Sequence, residues 1–262
     1  MSEPVTYSSY LALDEVLGAQ RPLSAHHDEL LFIVLHQTKE LWFKEIIHEL
    51  KLAQREVRAG ALVPAYKIMA RVSRIQAVLT QSWDILATLT PTDYLSFRGV
   101  LGSSSGFQSA QFRTVEYMLG LKDAAFLRFH EDRPAALAEL RAALEAPSLY
   151  DDALEQLVRV GLLSAEVIAR DLSAPYQPSA AVEDAWLTVY RDTARWWELY
   201  QLAEKLVDLD DAFLTWRQKH VVTVERIIGR RPGTGGTAGV DYLQATLSRR
   251  CFPELWSLRS KL

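Results

Sequence analysis

One uninterrupted stretch, residues 27–50 with the sequence HDELLFIVLHQTKELWFKEIIHEL, most limits what this chain can fold into. It contains no glycine or proline, and its acidic first turn suits a helix N-terminus, so it predicts one long helix capped by Ser24 and ended by Ala59-Gly60. Its apolar side chains point in several directions, which predicts a helix that is buried on most sides. His36 lies in the middle of this apolar surface. A buried imidazole needs a partner, whether a side chain, a water molecule, a metal or a ligand.

The rest of the chain repeats the helical period. Residues 65–89 place apolar side chains about 3.6 residues apart, and residues 107–120 and 182–229 also read as helices, the last with a break near Asp208–Asp211. No alternating strand pattern of useful length occurs. The fold class is therefore predicted to be all-α, with long helices packed side by side in one domain over residues 1–262, and with residues 1–20 as an N-terminal arm.

Composition and charge exclude several classes of function. The formal net charge of −4 argues against non-specific binding to nucleic acid or to an anionic membrane. No apolar run approaches the roughly 20 residues that span a bilayer, and the N-terminus lacks the features of a signal peptide, so we expect a cytoplasmic protein. The single cysteine, Cys251, excludes an internal disulfide and any multi-cysteine metal site.

A second histidine, His220, lies on another apolar helix face. Four apolar residues lie within about 45° of it around the helix: Phe213, Trp216, Val224 and Ile227. Two histidines on apolar faces have two interpretations. Both can be core histidines satisfied internally, which is the commoner case, or one can be an axial ligand of a haem, which would be non-covalent because C-x-x-C-H is absent. The run His26-His27-Asp28-Glu29 is interpreted as the polar first turn of a helix rather than as a metal site, and His48 and His130 as solvated.

The glycine-rich segment GTGGTA at 233–238 matches the dinucleotide-binding fingerprint only formally, because that fingerprint requires a strand before it. It is either a flexible connector or a loop that closes over a ligand. In the second case Thr234 and Thr237 supply hydroxyl groups.

Several stretches, taken together, resemble the tryptophan 2,3-dioxygenase family. They are YSSYLALDEVL (7–17), HDELLFIVLHQTKELWFKE (27–45), DYLSFRGVLGSSSGFQSAQFRTVE (93–116), APSLYDD (146–152), WRQKHVVTVERIIG (216–229) and GTGGTAGVDYL (233–243). The similarity covers nearly the whole chain, in order and at suitable spacing. It implies an all-α homotetramer, a dimer of dimers, that binds haem b.

The resemblance also implies a role for each matching residue. His220 would be the axial ligand of the haem iron, and His36 would hydrogen-bond the indole N–H of tryptophan. Phe32 would pack on the indole ring. Arg98 would bind the substrate carboxylate with help from Tyr94, an assignment that suits the planar fork of a guanidinium.

Four further residues are implied at the edge of the same site. Thr234 would contact the ammonium and carboxylate end of the substrate, and Ser105 would lie in the distal pocket. Tyr7 and Tyr10 would belong to an N-terminal arm that reaches into the site of a neighbouring subunit.

The reaction that the resemblance implies is insertion of both atoms of O2 into L-tryptophan, which cleaves the indole C2–C3 bond and gives N-formyl-L-kynurenine. Three alternatives are a related oxygenase that inserts one oxygen atom into an indole, a haem sensor or carrier without turnover, and an all-α scaffold without a cofactor. A complete set of Tyr94, Arg98 and Thr234 argues against the first of these, because those residues recognise an amino-acid backbone.

Overall fold

The computed structural model describes residues 4–236 and 238–262, and within these ranges the chain forms helices and connecting turns without a β-strand. The all-α prediction is confirmed. The α-helices are α1 (Tyr7–Leu11), α2 (Leu13–Leu17), α3 (His27–Ala59), α4 (Leu62–Leu86), α5 (Pro91–Arg98), α6 (Ala110–Met118), α7 (Pro134–Glu145), α8 (Leu149–Arg159), α9 (Ala165–Ile168), α10 (Ala180–Arg191), α11 (Trp197–Ile228), α12 (Val240–Ala245) and α13 (Pro253–Ser257). Thr237, predicted as a hydroxyl donor, lies outside the described residues.

The centre of the fold is α4, which packs against α3 on one side and against α11 on the other. The apolar face of α4 explains this position, because side chains at helical spacing are all buried: Ile68, Val72, Ile75, Leu79, Trp83 and Leu86. Each such side chain contributes about 1.5–3 kcal/mol when it is fully buried. The three long helices therefore form a rigid frame, in which α3 carries His36 and α11 carries His220.

The N-terminus of α3 differs from the prediction. His26, not Ser24, is the N-cap, and its side chain accepts a hydrogen bond from the backbone N–H of Asp28. The Ser24 hydroxyl instead donates to the buried carboxylate of Glu29, at 2.5 Å. Glu29 also accepts from the backbone N–H groups of Leu23 and Ser24, both at 2.7 Å, so it fixes the turn before the helix. The C-terminus is as predicted, with Gly60 at φ 75°.

The predicted break near Asp208–Asp211 is also wrong, since α11 runs without interruption and the break lies at residues 192–196. Asp210 is buried, and its carboxylate accepts hydrogen bonds from the backbone N–H of Cys251 at 2.9 Å and from the indole N–H of Trp256 at 2.8 Å. An aspartate interrupts a helix when its side chain competes for nearby backbone groups. Here the C-terminal segment satisfies the carboxylate.

The structure also shows where two further histidines and the N-terminal arm lie. His48 is exposed, as expected, but His130 is buried and was wrongly interpreted as solvated. The N-terminal arm forms two short helices, α1 and α2, which are separated at Ala12, and this residue adopts a left-handed conformation with φ 47°.

One face of α3 is exposed, although the sequence predicted burial on most sides. Four of its large apolar side chains are 39–55 % accessible: Leu30, Val34, Leu41 and Trp42. Val78 and Ile85, one heptad apart on α4, are exposed as well. Among the described residues no helix is both long enough and apolar enough to cross a membrane.

Candidate active site

A cavity opens between α3, α4, α5, α6, α11 and the loops that follow α5 and α11. Its empty volume is about 1460 Å³, including the part that opens to solvent. Its lining combines many aromatic and aliphatic side chains with a few polar and charged ones, which is the usual character of a small-molecule site.

His220 lines this cavity from α11. Its ring stacks on the indole of Trp83, with ring centroids 4.3 Å apart and an interplanar angle of 10°, and it lies 5.3 Å from the ring of Trp216. Neither ring nitrogen hydrogen-bonds to any residue that the structure describes. Burial, with a smaller contribution from Lys39, lowers the pKa of His220 to about 3, so its imidazole is neutral at physiological pH. A neutral imidazole held by aromatic stacking, with a free lone pair, is suited to binding a metal.

His36 lines the same cavity from α3, and the structure determines its tautomer. Its Nδ1 lies 2.7 Å from the carbonyl oxygen of Phe32. Because a carbonyl only accepts, Nδ1 carries the proton and donates it. Burial lowers the pKa of His36 to about 4, so the ring is neutral. Nε2 is therefore left with an unprotonated lone pair, and it can accept a hydrogen bond from a ligand N–H.

Phe32, Tyr94 and Arg98 lie on the α3–α5 side of the cavity. The ring of Phe32 is 4.2 Å from that of His36 and 5.9 Å from that of Tyr94. Burial raises the pKa of the Tyr94 phenol, against the opposing effect of the adjacent Arg98 guanidinium. Arg98 lies at the entrance and does not line the cavity. One of its Nη groups donates to the Pro232 carbonyl at 2.6 Å. The other N–H groups of the guanidinium can still donate hydrogen bonds to a ligand.

Two loops meet over this entrance. The Thr234 hydroxyl donates to the carbonyl of Ser104 at 2.6 Å, and the Ser105 hydroxyl accepts from the backbone N–H of Phe107 at 3.4 Å. Gly235 lies so close to Ser105 that a Cβ at position 235 would be 2.8 Å from the Ser105 Cβ. Glycine is required at 235 because the backbone of this loop packs directly on a side chain. The sequence left open whether this segment is a flexible connector or a loop that closes over a ligand, and the structure places Gly235 against the loop that follows α5.

A buried charged cluster on α6 and α11 forms part of the cavity wall. Glu116 is paired with Arg217 at 2.9 Å and also with Arg113, and all three residues line the cavity. The spacing of Arg113 and Glu116 on α6 suggests a pair, but nothing in the sequence predicts Arg217, which comes 101 residues later. The cluster contains two guanidinium groups and one carboxylate.

Lys39 is a further ionisable side chain of the cavity wall, and the sequence did not predict it as a site residue. It is 5 % exposed, and its ammonium lies 2.9 Å from the centre of a Trp83 ring. Burial lowers the pKa of Lys39 to about 6. Lys39 follows His36 by three residues, so both side chains lie on one side of α3. This spacing is the feature of the sequence that could have predicted Lys39 as a cavity residue.

Some predicted residues lie elsewhere. Tyr7 and Tyr10 are 76 % and 77 % exposed on α1 and do not line the cavity of their own chain. His26, Asp28 and Asp93 come within 4.8 Å of one another. His26 and Asp93 already cap α3 and α5, which agrees with the prediction of polar first-turn residues.

Comparison with known proteins assigns the chain to a family. The sequence profile of tryptophan 2,3-dioxygenase matches residues 1–262. The tryptophan 2,3-dioxygenase of Caulobacter vibrioides is 68 % identical over 263 residues and covers 100 % of both chains. Those of Polaromonas sp. and Bacillus cereus are 55 % and 53 % identical, over 100 % and 99 % of this chain and 89 % and 94 % of theirs. The chain therefore belongs to the tryptophan 2,3-dioxygenase family.

Proposed function

We propose that this chain oxidises L-tryptophan with O2 to N-formyl-L-kynurenine in the cavity between α3 and α11, and that haem b is its cofactor, bound non-covalently through His220. The observation that carries this proposal is the pair of neutral histidines in one large cavity. His220 has no hydrogen-bond partner among the described residues, and His36 has a fixed tautomer with Nε2 unprotonated.

The chemistry of the cavity fits a haem. The walls around His220 are apolar or aromatic, as a porphyrin ring requires: Phe43, Trp83, Leu86, Trp216, Val224 and Ile227. The indole N–H of Trp83 and the ammonium of Lys39 are buried without partners among the residues described, which indicates that a polar ligand belongs there. The thiol of Cys251 does not line the cavity and His36 is engaged with the Phe32 carbonyl, so His220 is the residue that would hold the haem iron.

When bound, haem supplies the redox chemistry that activates dioxygen. The protein binds and orients the other substrate. We assign to His36 the acceptance of the indole N–H through Nε2, and to Phe32 the packing against the indole plane. His36 is not required as a base, because orientation by this hydrogen bond is sufficient to hold the indole C2–C3 bond towards the oxygen site.

The amino-acid end of tryptophan is assigned to the entrance. Arg98 binds the carboxylate with the donors that the Pro232 carbonyl leaves unused, assisted by the Tyr94 hydroxyl. Thr234 contacts the ammonium and carboxylate end, and Ser105 stays assigned to the distal pocket. The contacts among these loops hold the entrance closed over the substrate and exclude water.

We further propose that residues 1–262 form one domain and assemble as a homotetramer, a dimer of dimers. The exposed apolar faces of α3 and α4 support an interface between copies, because patches of this kind commonly mark protein–protein contacts. Tyr7 and Tyr10 on the arm are exposed in the single chain, as the proposed insertion into a neighbouring site requires. The cytoplasmic location stays a prediction of the sequence.

Deleting residues 1–10 should reduce tryptophan turnover by roughly tenfold or more while the haem content changes little. The deletion removes one or two contacts to the substrate site, and a loss of about 1.4 kcal/mol in binding free energy corresponds to a factor of ten. Steady-state rates and the haem absorbance per chain measure both quantities. The double variant Val63→Ser/Leu262→Ser, at exposed apolar positions outside the arm, is the control. Full activity of the truncated protein would remove the arm from the site.

Gly235→Ala should raise the tryptophan concentration needed for half-maximal rate several-fold, because the added methyl group would clash with Ser105 and separate the two entrance loops. Haem binding should be retained. Gly99→Ala is the matched control, since its Cβ would meet nothing within 4 Å. Equal effects of the two substitutions would contradict the packing of the entrance loops as a substrate-binding feature.

The proposed reaction is tested by the oxygen content of the product. The haem-loaded, reduced protein is given L-tryptophan and ¹⁸O2, and the product is analysed by mass spectrometry. Two labelled oxygen atoms in N-formyl-L-kynurenine are expected. One labelled atom would favour the related monooxygenase, and haem binding without any product would favour a sensor or carrier.

A further inference from the structure

Lys39 has no role in the chemistry proposed above, although it is a buried residue of the cavity lining. It extends from the centre of α3 into the cavity wall, it is buried, and its ammonium makes no hydrogen bond within residues 4–236 and 238–262. A buried ammonium without a partner is strongly unfavourable. A side chain of this kind indicates a ligand that supplies the missing negative charge.

Residues 4–236 and 238–262 offer Lys39 no free carboxylate. Two carboxylates from these ranges line the cavity, and both have other partners. Glu40 accepts a hydrogen bond from the amide of Gln111 at 2.8 Å, and Glu116 is paired with Arg113 and Arg217. The Lys39 Nζ lies instead over the face of Trp83, 2.9 Å from the ring centre.

The position of Trp83 relates Lys39 to the cofactor. The indole that carries the ammonium also stacks on the ring of His220, the proposed axial ligand. The lysine therefore lies in the part of the cavity that the haem would fill, whereas the groups assigned to the tryptophan carboxylate lie at the entrance. Haem is an apolar ring that carries two propionate carboxylates, and these need cationic partners when the ring is buried.

We propose that Lys39 is a propionate-binding residue, whose ammonium forms an ion pair with one carboxylate of the haem. This inference rests on the proposed haem cofactor. It assigns to Lys39 a role in holding the cofactor and none in binding tryptophan.

The test is the rate at which haem is lost to an excess of a haem-acceptor protein. Lys39→Met keeps the length of the side chain and removes the charge, so we expect its haem to dissociate about 10- to 100-fold faster than that of the wild type, as for the loss of a charged hydrogen bond. Lys44→Met, at an exposed position of the same helix, is the control and should match the wild type.

A second experiment tests whether the partner of Lys39 is a propionate carboxylate of the haem. Both proteins are loaded with haem dimethyl ester, in which the propionates carry no charge. The ester should leave the wild type and Lys39→Met at the same rate, because the interaction that separates them has been removed from both. A difference of the same size with the ester as with haem would overturn the proposal. So would an unchanged rate of haem loss from Lys39→Met, or a weakened tryptophan affinity with unchanged haem loss, which would assign Lys39 to the substrate carboxylate.

The stability of the haem-free protein separates this role from a structural one. Without haem the buried amino group of Lys39 has no hydrogen-bond partner among the described residues, so Lys39→Met should melt at the same temperature as the wild type or higher. A clearly lower melting temperature of the haem-free variant would assign Lys39 to the core instead. If the wild type itself takes up no haem, the proposed cofactor is wrong, whereas haem uptake with equal rates of loss overturns the role of Lys39 alone.

Discussion

The His220→Ala variant is expected to fold but to lose its stably bound haem. Removing a residue that merely supports a metal ligand typically lowers metal affinity about 10- to 100-fold, and removing the ligand itself should cost more. The fold should survive, because His220 forms no hydrogen bond in the described chain and the neighbouring rings of Trp83 and Trp216, 5.5 Å apart, remain buried against each other. Haem content per chain and the absorption spectrum measure the effect.

Two further measurements show whether the loss of haem is specific to His220. His48→Ala, at an exposed histidine of α3, should keep the wild-type haem content. Free imidazole should partly restore haem binding to His220→Ala, since it can occupy the space that the side chain vacates. A wild-type spectrum in His220→Ala would show that another residue holds the iron, and would refute the axial assignment.

Arg98→Ala should raise the tryptophan requirement about 10- to 100-fold, because a charge-assisted hydrogen bond contributes about 1.5–3 kcal/mol. Haem binding should be unaffected, since Arg98 lies at the entrance and outside the cavity lining. Arg98→Lys keeps the charge without the planar fork and should fall between the wild type and Arg98→Ala.

The measurement is the dissociation constant of L-tryptophan from the reduced, haem-loaded protein. Arg230→Ala is the matched control, since Arg230 lies on the loop after α11 that Arg98 contacts, in an exposed ion pair with Asp241, and such pairs contribute little. Tryptamine, which lacks the carboxylate, should bind the wild type and Arg98→Ala equally well. A loss of tryptamine binding in Arg98→Ala would indicate a structural effect on the site instead.

Helical periodicity predicted the long helices because burial on one face repeats along the chain. The apolar face of α4 and the aromatic surroundings of His220 follow directly from residue spacing. The uninterrupted passage of α11 through Asp210 does not, because its carboxylate is satisfied by Cys251 and Trp256, which follow more than 40 residues later. The exposed face of α3 was missed for the opposite reason, since a sequence does not show whether apolar residues meet their own chain or another copy.

The candidate site divides in the same way. The sequence and its family resemblance predict His36, His220, Phe32 and Tyr94 as site residues, and the fold brings all four to one cavity. The pairing of Glu116 with Arg217 depends on two distant helices, and the isolation of Lys39 depends on every neighbour being known. Arg98 contacts the Pro232 carbonyl and so joins α5 to the glycine-rich loop. This contact could not be predicted from the sequence, because the two residues are far apart in the chain.

The most direct test of the central claim, that tryptophan binds beside a haem held by His220, is an optical titration. The purified protein is loaded with haem, reduced under anaerobic conditions, and titrated with L-tryptophan before air is admitted. We predict a haem band that shifts with saturation as tryptophan fills the site between His36 and Phe32, followed by accumulation of N-formyl-L-kynurenine in air. A haem band that does not respond to tryptophan would contradict the assignment of this cavity to substrate, and the absence of any haem band would contradict the cofactor.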